Sequence, residues 1–415
     1  MADGITRREA MIGGLAAAAV LVGGRRRGAA GGEAGPQAAP VVADRSKDAP
    51  ASPVAIQRCE SYEPQLVRKQ LGAAIDLAGG IGPLVKGKTV TMKLNLTGGG
   101  GPLGNLPAHE TYQVHPNVVA ALSAVLADAG AKQIYVVESC YFRDPPEKAL
   151  KAMGWDVDAI LAAGDRRVAI ENTRNRGVWP AYSRLKVPWG GFLYPAFDVN
   201  ARYEKTDVFI SLAKLKDHNN GGVTLAAKNM FGMPPMSLYG TEAPNEDTLT
   251  ARMEIFHYRE KAVPAGVPAE VSLSLPAGRP AWQYRVPRIT ADCVGARPID
   301  LAIIDGVHTA TGGEGPWIDG LRAASPKLLI AGRNPVCTDA VCAAVMGYRP
   351  DAAHFEYPFQ GENHLRLLAQ AGVGTCDLKR IEVRGLPISD ARFPFRSPAA
   401  HASSAPYRWR TDRLA

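Results

Sequence analysis

The chain has 415 residues, of which 46% are hydrophobic, 7% aromatic and 21% charged, proportions that exclude wholesale disorder, a collagen-like fibre and a multi-span membrane protein. Its 43 glycines and 32 prolines favour long, shaped loops over a compact helical bundle. Of the net charge of +8, a share sits on the arginines of the first 40 residues and the rest is dispersed. No basic stripe interleaved with aromatics appears, so no nucleic-acid partner is expected.

At the N-terminus, Arg7-Arg8 precedes an apolar run from Met11 to Gly24. The run is too short to span a bilayer, which takes about 20 residues, and has the length of a signal-peptide core. The paired arginines resemble a twin-arginine export signal, and Arg25–Arg27 behind the core fit that route. Residues 1–30 are therefore read as a signal peptide and 31–53 as a flexible linker. The expected destination is the periplasm or the exterior, reached already folded through the twin-arginine translocase. No membrane span is expected in the mature form.

Beyond the linker, strands alternate with helices. Val54–Arg58 is a short β-like run and Pro64–Leu77 a helical one. Thr89–Leu96 alternates as a strand and enters a glycine-rich loop, Gly98–Gly104. Pro116 opens a helix that continues through Val118–Ala129 to Gly130, the residue type that ends helices. Ile134–Val137 is a strand ending at Glu138. Asp207–Leu212, Leu301–Ile304 and Leu328–Ala331 are near-continuous apolar runs, as strands buried on both faces require. Asn334–Met346 reads as a helix stopped by Gly347, and Ile381–Val383 as a late strand. The alternation predicts one layered α/β domain over 54–395, with a mainly parallel sheet and helices on both faces. Two excursions break the rhythm: 171–203, an inserted hairpin or lid, and 234–280, with an amphipathic helix. Residues 396–415 form a tail.

Polar residues are densest in Lys214-Leu-Lys216-Asp-His218-Asn-Asn-Gly-Gly-Val-Thr224-Leu-Ala-Ala-Lys228-Asn229, directly after a buried strand. Ligands of open α/β sheets bind beyond the carboxyl ends of the strands. In an extended segment Lys214, Lys216 and His218 project to one side. Gly221-Gly222 permits a turn into a helix whose amides could hold an anion, with Thr224 and Lys228 on one face. Lys93 and Asn95 repeat the arrangement at the end of another strand. Lys93, Asn95, Lys214, Thr224, Lys228 and Asn229 are the expected ligand-binding residues for a small carboxylate or phosphate. Lys216, His218, Asp305 and Glu314 are the expected catalytic residues, moving protons between a carboxylate and a lysine.

The cofactor is open, a divalent metal being the one these side chains suit, with His115, His218, Asp305 and Glu314 as ligands and His308 as a further candidate. His115 also stands where a side chain can cap the Pro116 helix, and Asp339 in the first turn of its own helix, where it offsets the helix dipole. Gly99-x-Gly101-x-x-Gly104 matches a dinucleotide fingerprint, but Pro102 and Pro107 deny it the helix that the mechanism needs. The six cysteines include no C-x-x-C pair and read as buried small hydrophobes.

Taken in order, Val54-Ala-Ile-Gln-Arg58, Lys93-Leu-Asn95, His115-Pro-Asn-Val-Val, Asp207–Gly232, Arg297-Pro through Asp305-Gly306, Gly313-Glu-Gly-Pro316 and Asn334-Pro-Val-Cys-Thr-Asp339 through Met346-Gly347 resemble the family named domain of unknown function 362. The resemblance implies an α/β domain and is in keeping with twin-arginine export. Some members are fused to ferredoxin-like domains; this chain lacks their cysteines, so no iron–sulfur cluster is expected in it. The leading expectation is an exported enzyme acting on a small anion. The alternatives are a non-catalytic accessory of a periplasmic redox enzyme, which would use 171–203 as its partner surface, and an oxidoreductase loaded with its cofactor before export.

Overall fold

The computed structural model describes residues 41–272, 275 and 278–395. The signal segment, the first part of the expected linker and the tail lie outside these residues. Eight strands make one sheet: β1 (Val54–Arg58), β2 (Thr89–Lys93), β3 (Gln133–Glu138), β4 (Val168–Asn172), β5 (Val208–Lys214), β6 (Leu301–Gly306), β7 (Leu328–Gly332) and β8 (Val383–Gly385). Their order across the sheet is β8-β1-β7-β6-β5-β2-β3-β4. Every pairing is parallel except the two made by β7, which runs against β1 and β6.

The helices used below are α1 (Pro64–Leu77), α2 (Pro116–Asp128), α3 (Leu225–Asn229), α4 (Trp282–Ala296), α5 (Pro335–Val345) and α6 (His364–Gln370). Side-chain alternation along each strand divides the core between the two faces. In β5, Val208, Ile210 and Leu212 join one apolar cluster with Val67 and Leu71 of α1 and Val118 and Leu122 of α2. Phe209 and Ala213 join the other, with Ile289 of α4, Val341 of α5 and Leu365 of α6. A strand covered on both faces has no solvated side, which is why its sequence shows an apolar run rather than alternation. The helix starts follow from local chemistry. Glu63 accepts the amides of Gln65 and Leu66 ahead of α1, and Asn334 those of Val336 and Cys337 ahead of α5.

The excursion 171–203 holds the antiparallel hairpin of Ser183–Lys186 and Ala196–Val199. It is fastened to α4 through buried Asp292, whose carboxylate accepts the amides of Phe192 (2.7 Å), Leu193 (2.8 Å) and Tyr194 (2.9 Å). The stretch 234–280 differs from expectation. Its described residues contain one helical turn, Met236–Tyr239, and a π-helical segment, Met253–Tyr258, in place of an amphipathic helix. The long helix begins only at Trp282, beyond the proline-punctuated stretch. Within 41–53 the chain is tied down: the Arg45 amide reaches the Gln370 carbonyl, and the carbonyls of Ala49 and Pro50 accept from Arg380 and Thr375. No helix among the described residues is long and apolar enough to cross a membrane.

The connections after β2 and β5 decide where a ligand can enter. From β2 the chain crosses over α2 and proceeds outward to β3 and β4; from β5 it crosses by α3 and α4 on the other face and proceeds to β6. Strands β2 and β5 are neighbours, so their connections part there, and the switch point beyond their carboxyl ends is the usual ligand position in open α/β sheets.

Candidate functional site

Three clusters of polar side chains lie at this switch point. Two of them neutralise themselves. At the end of β2, the Lys93 ammonium lies 2.8 Å from Glu138 at the end of β3 and 3.2 Å from Oδ1 of Asn229 in α3. Asn95 donates to the same Asn229 oxygen (3.2 Å), and Asn229 donates to Ser211 (3.0 Å). Lys93, Asn95 and Asn229, expected to bind ligand, are instead committed to one another and to Glu138. The reason is burial: an ammonium only 1% exposed needs a counter-ion, and the carboxylate that ends the adjacent strand provides it.

The second cluster lies between β5 and β6. Lys214 and Asp305, both fully buried, form an ion pair of 2.9 Å. Tyr62 donates to Asp305 (2.8 Å) and accepts from Lys214 (2.9 Å), while the His115 amide donates to the other carboxylate oxygen (3.0 Å). Burial lowers the Lys214 pKa and the Asp305 charge opposes that shift. With four donors around its carboxylate, including the Val307 amide at 3.3 Å, Asp305 has no free face for a metal or a substrate proton. In this arrangement its carboxylate, expected to serve catalysis or a metal, is engaged by Lys214 and its neighbours.

The third cluster is unbalanced. Lys216, His218, Lys228 and Glu314 come together, and neither lysine makes an ion pair among the described residues. The three protons of Lys216 go to neutral oxygens: the Tyr112 carbonyl (2.6 Å), the Glu314 carbonyl (3.1 Å) and the Thr97 hydroxyl (3.1 Å). Lys216 therefore supplies charge rather than a free donor. Lys228 is 7% exposed and its ammonium rests on the Phe231 ring, 3.9 Å from the centroid, with no hydrogen-bond acceptor among the described residues. Burial pulls both lysines down to about 7, partly opposed by the Glu314 carboxylate. The side-chain oxygens of Thr224 and Asn219 are buried without a hydrogen-bond partner among the described residues.

His218 has a defined role in this cluster. Its Nδ1 accepts the Asn220 amide at 3.2 Å, so in the neutral ring the proton sits on Nε2. Burial, followed by the charges of Lys228 and Lys216, pushes its pKa well below the ordinary value of 6.5, which keeps it a neutral donor. His257 and His364 nearby are likewise held down to about 3, first by burial and then by Lys228, and stay neutral beside it. Glu314 accepts the Asn219 amide (2.9 Å) and lies 3.6 Å from His218 Nδ1, beyond hydrogen-bond reach.

The four expected metal ligands do not converge. His115 Nδ1 accepts the Asn117 amide at 3.1 Å as the N-cap of α2, Asp305 is enclosed by donors, and His218 and Glu314 belong to the third cluster. The helix after Gly221-Gly222 also departs from expectation. Gly222 turns the chain at φ 75°, where a side chain would strike Phe359, but the first amides of α3 are not free for an anion. Asp339 of α5, fully buried, accepts them from Ala226 (2.9 Å) and Ala227 (2.8 Å). This cap acts on another helix rather than on Asp339's own dipole. Burial raises its pKa to about 7, against the pull of those two amides. Leu225, held at φ 44°, carries about 1–3 kcal/mol of strain that the cap sustains. Asp339→Ala is expected to cost about 2–4 kcal/mol by leaving two buried amides unpaired, and Asp339→Asn markedly less. The urea midpoint at an unchanged slope reads both values.

Reading the sequence alone missed Tyr62, Glu138 and the pair His257 and His364. The placement of Glu138 at the end of its strand was visible; the other three carry no local signal.

Known proteins extend this picture. The chain is 26% identical over 337 residues to a thylakoid-associated protein of Synechocystis, covering 75% of this chain and 85% of that one. A crystal structure of a Thermotoga maritima protein is 12% identical, with a TM-score of 0.33 over 65% of this chain. The match spans 56% of that protein, a likeness too slight to carry an argument. The family model described as domain of unknown function 362 matches residues 90–344, more than half of the chain, and its span includes Lys93, Glu138, the Lys214–Asn229 segment, Asp305, Glu314 and Asp339. These residues thus fall within one family match, and the chain belongs to the domain of unknown function 362 family.

Proposed function

We propose that the protein binds a small anion, a carboxylate or a phosphate, against Lys228, His218 and Lys216, and acts on it as an enzyme. Lys228 carries this reading: among the described residues its largely buried ammonium has neither counter-ion nor hydrogen-bond acceptor, which is costly unless a ligand or solvent supplies one. His218 offers a second donor, and Lys216 adds positive charge beside Lys228. With a pKa near neutrality and no acceptor holding its proton, Lys228 is better placed than Lys216 to exchange a proton with a bound substrate. Glu314, beside His218, is the acidic partner. Thermal melting with added inorganic phosphate or a short-chain carboxylate tests the proposal. A ligand at 100 times its dissociation constant stabilises by about 2.7 kcal/mol, so the midpoint rises with concentration; a midpoint no more sensitive to either anion than to chloride contradicts it.

The proposal includes export to the periplasm or beyond, which rests on Arg7-Arg8 and the apolar run that follows. Fused to a reporter, residues 1–40 are expected to direct export, and Arg7→Lys/Arg8→Lys to abolish it. Undiminished export of the double-lysine fusion contradicts the twin-arginine route.

A further inference from the structure

One buried carboxylate joins the segment of Lys216 and His218 to the loop that carries Glu314. Asp217 lies between the two pocket residues and is 2% exposed. Its Oδ1 accepts the amides of Gly312 (2.9 Å) and Gly313 (2.8 Å), and its Oδ2 accepts the hydroxyls of Tyr348 (3.1 Å) and Thr311 (3.4 Å). Thr311 ends the strand Thr309–Thr311, which pairs antiparallel with Arg322–Ala324, so residues 312–321 are the tip of a hairpin. We propose that Asp217 is a positioning residue that latches this tip, as a lid, onto the anion pocket proposed above, a reading on which the inference rests.

The tip meets the pocket through Glu314. The Glu314 carbonyl takes one of the three Lys216 protons (3.1 Å), and the carboxylate takes the Asn219 amide (2.9 Å). Lifting the tip therefore releases a Lys216 donor to an incoming anion. Apart from the latch, the tip is held by a small apolar cluster, in which Trp317, Ile318 and Leu321 meet Ala108 and Tyr112, separate from the two clusters that cover the faces of the sheet. The turn itself requires glycine: Gly312 and Gly313 stand at φ 101° and 142°, and a side chain on Gly313 would strike Ile318. Burial raises the Asp217 pKa to about 6 against the pull of its four donors. At neutral pH the carboxylate is thus ionised, and its bonds to the tip are charge-assisted, roughly twice as strong as neutral ones. Removing it frees the tip while leaving Lys216 and Glu314 in the chain.

Labelling of the ligand-free full chain with a small amine-reactive ester, read lysine by lysine by mass spectrometry, tests the latch. Lys93, Lys214 and Lys216 are all buried and should react slowly in the wild type. Asp217→Ala is expected to raise the rate at Lys216 by about tenfold or more through local opening, and to leave Lys93 and Lys214 slow, since each keeps its own carboxylate. Asp217→Asn, whose amide oxygen can still accept both glycine amides, should stay within about twofold of the wild type. Should circular dichroism show Asp217→Ala to be unfolded, Gly313→Ala forces the same turn from the side of the tip and is expected to give the same pattern. Lys216 as slow as in the wild type, all three lysines accelerated alike, or Asp217→Asn as reactive as Asp217→Ala would each overturn the latch. Added phosphate separates the two readings: protection of Lys216 in the wild type supports the pocket, and its absence counts against the pocket while the labelling pattern still decides the latch.

Discussion

Lys228→Met is expected to weaken phosphate binding at least tenfold at pH 6.5 and, in the absence of ligand, to raise the thermal midpoint by a few degrees. The two effects have one cause. A buried ammonium facing Phe231 lacks the solvation that it has in the unfolded chain, and methionine fills much the same volume without that cost. Around Lys228 the field comes from Glu314 on one side and from Arg252 and Lys93 on the other, so the single carboxylate does not offset the surrounding cations. The folded-state pKa of about 7 lies below the ordinary lysine value of 10.5 for both Lys216 and Lys228. A base shifted this way contributes its stability fully above pH 10.5 and loses it as pH falls through about 7. The ligand-free protein should therefore gain stability as pH rises from about 7 to 10.5, less steeply in Lys228→Met. Anion affinity should move oppositely, declining above pH 7 as the lysines lose their protons. A variant that is destabilised at every pH, with unchanged phosphate affinity, would show Lys228 to be a packing residue.

The pair formed by Lys214 and Asp305 should behave in the reverse sense. Removing either partner, as Lys214→Met or Asp305→Leu, leaves the other charge in a dry interior and is expected to cost about 3–5 kcal/mol. Loss of Asp305 also strips acceptors from the Tyr62 hydroxyl and the His115 amide. The double variant Lys214→Met/Asp305→Leu removes both charges together and should recover a large part of the loss. Urea denaturation of the four proteins closes the cycle, and losses that simply add would mean that the two groups do not depend on each other. The contrast between Lys214 and Lys228 is central to the functional reading: both are buried, but among the described residues only the first has a counter-ion.

What the sequence made legible, and what it did not, follows from the range of the interactions involved. The strands at Val54–Arg58 and Leu301–Gly306 and the helix Pro64–Leu77 are written in local patterns: an apolar run, a proline at the start, a periodic buried face. The half-buried edge strand Val168–Asn172 has no such run and was not anticipated. Crowding of Lys214, Lys216, His218 and Lys228 after a buried strand was visible in the sequence, and the structure gathers these side chains at the end of β5. Which of these lysines is neutralised was not legible, because the deciding carboxylates are remote in sequence: Glu138 is 45 residues from Lys93, and Asp305 is 91 from Lys214. Asp339 illustrates the same limit, since its local setting suggested a role in its own helix while its carboxylate caps another, 113 residues away. His115 was legible as a helix cap from Pro116, and that cap is what removes it from the ligand set.

The most direct test of the unpaired lysine pocket is calorimetric titration of the protein with inorganic phosphate at pH 8, in two buffers of different ionisation enthalpy. Near pH 8 Lys216 and Lys228 are largely deprotonated in the free protein, and a bound anion should restore their charge. The predicted result is saturable binding with net proton uptake, more than half a proton per phosphate by order of magnitude, reduced in Lys228→Met. Binding with no buffer dependence, or no saturable heat at pH 8 and at pH 6.5, would contradict a pocket built on unpaired lysines.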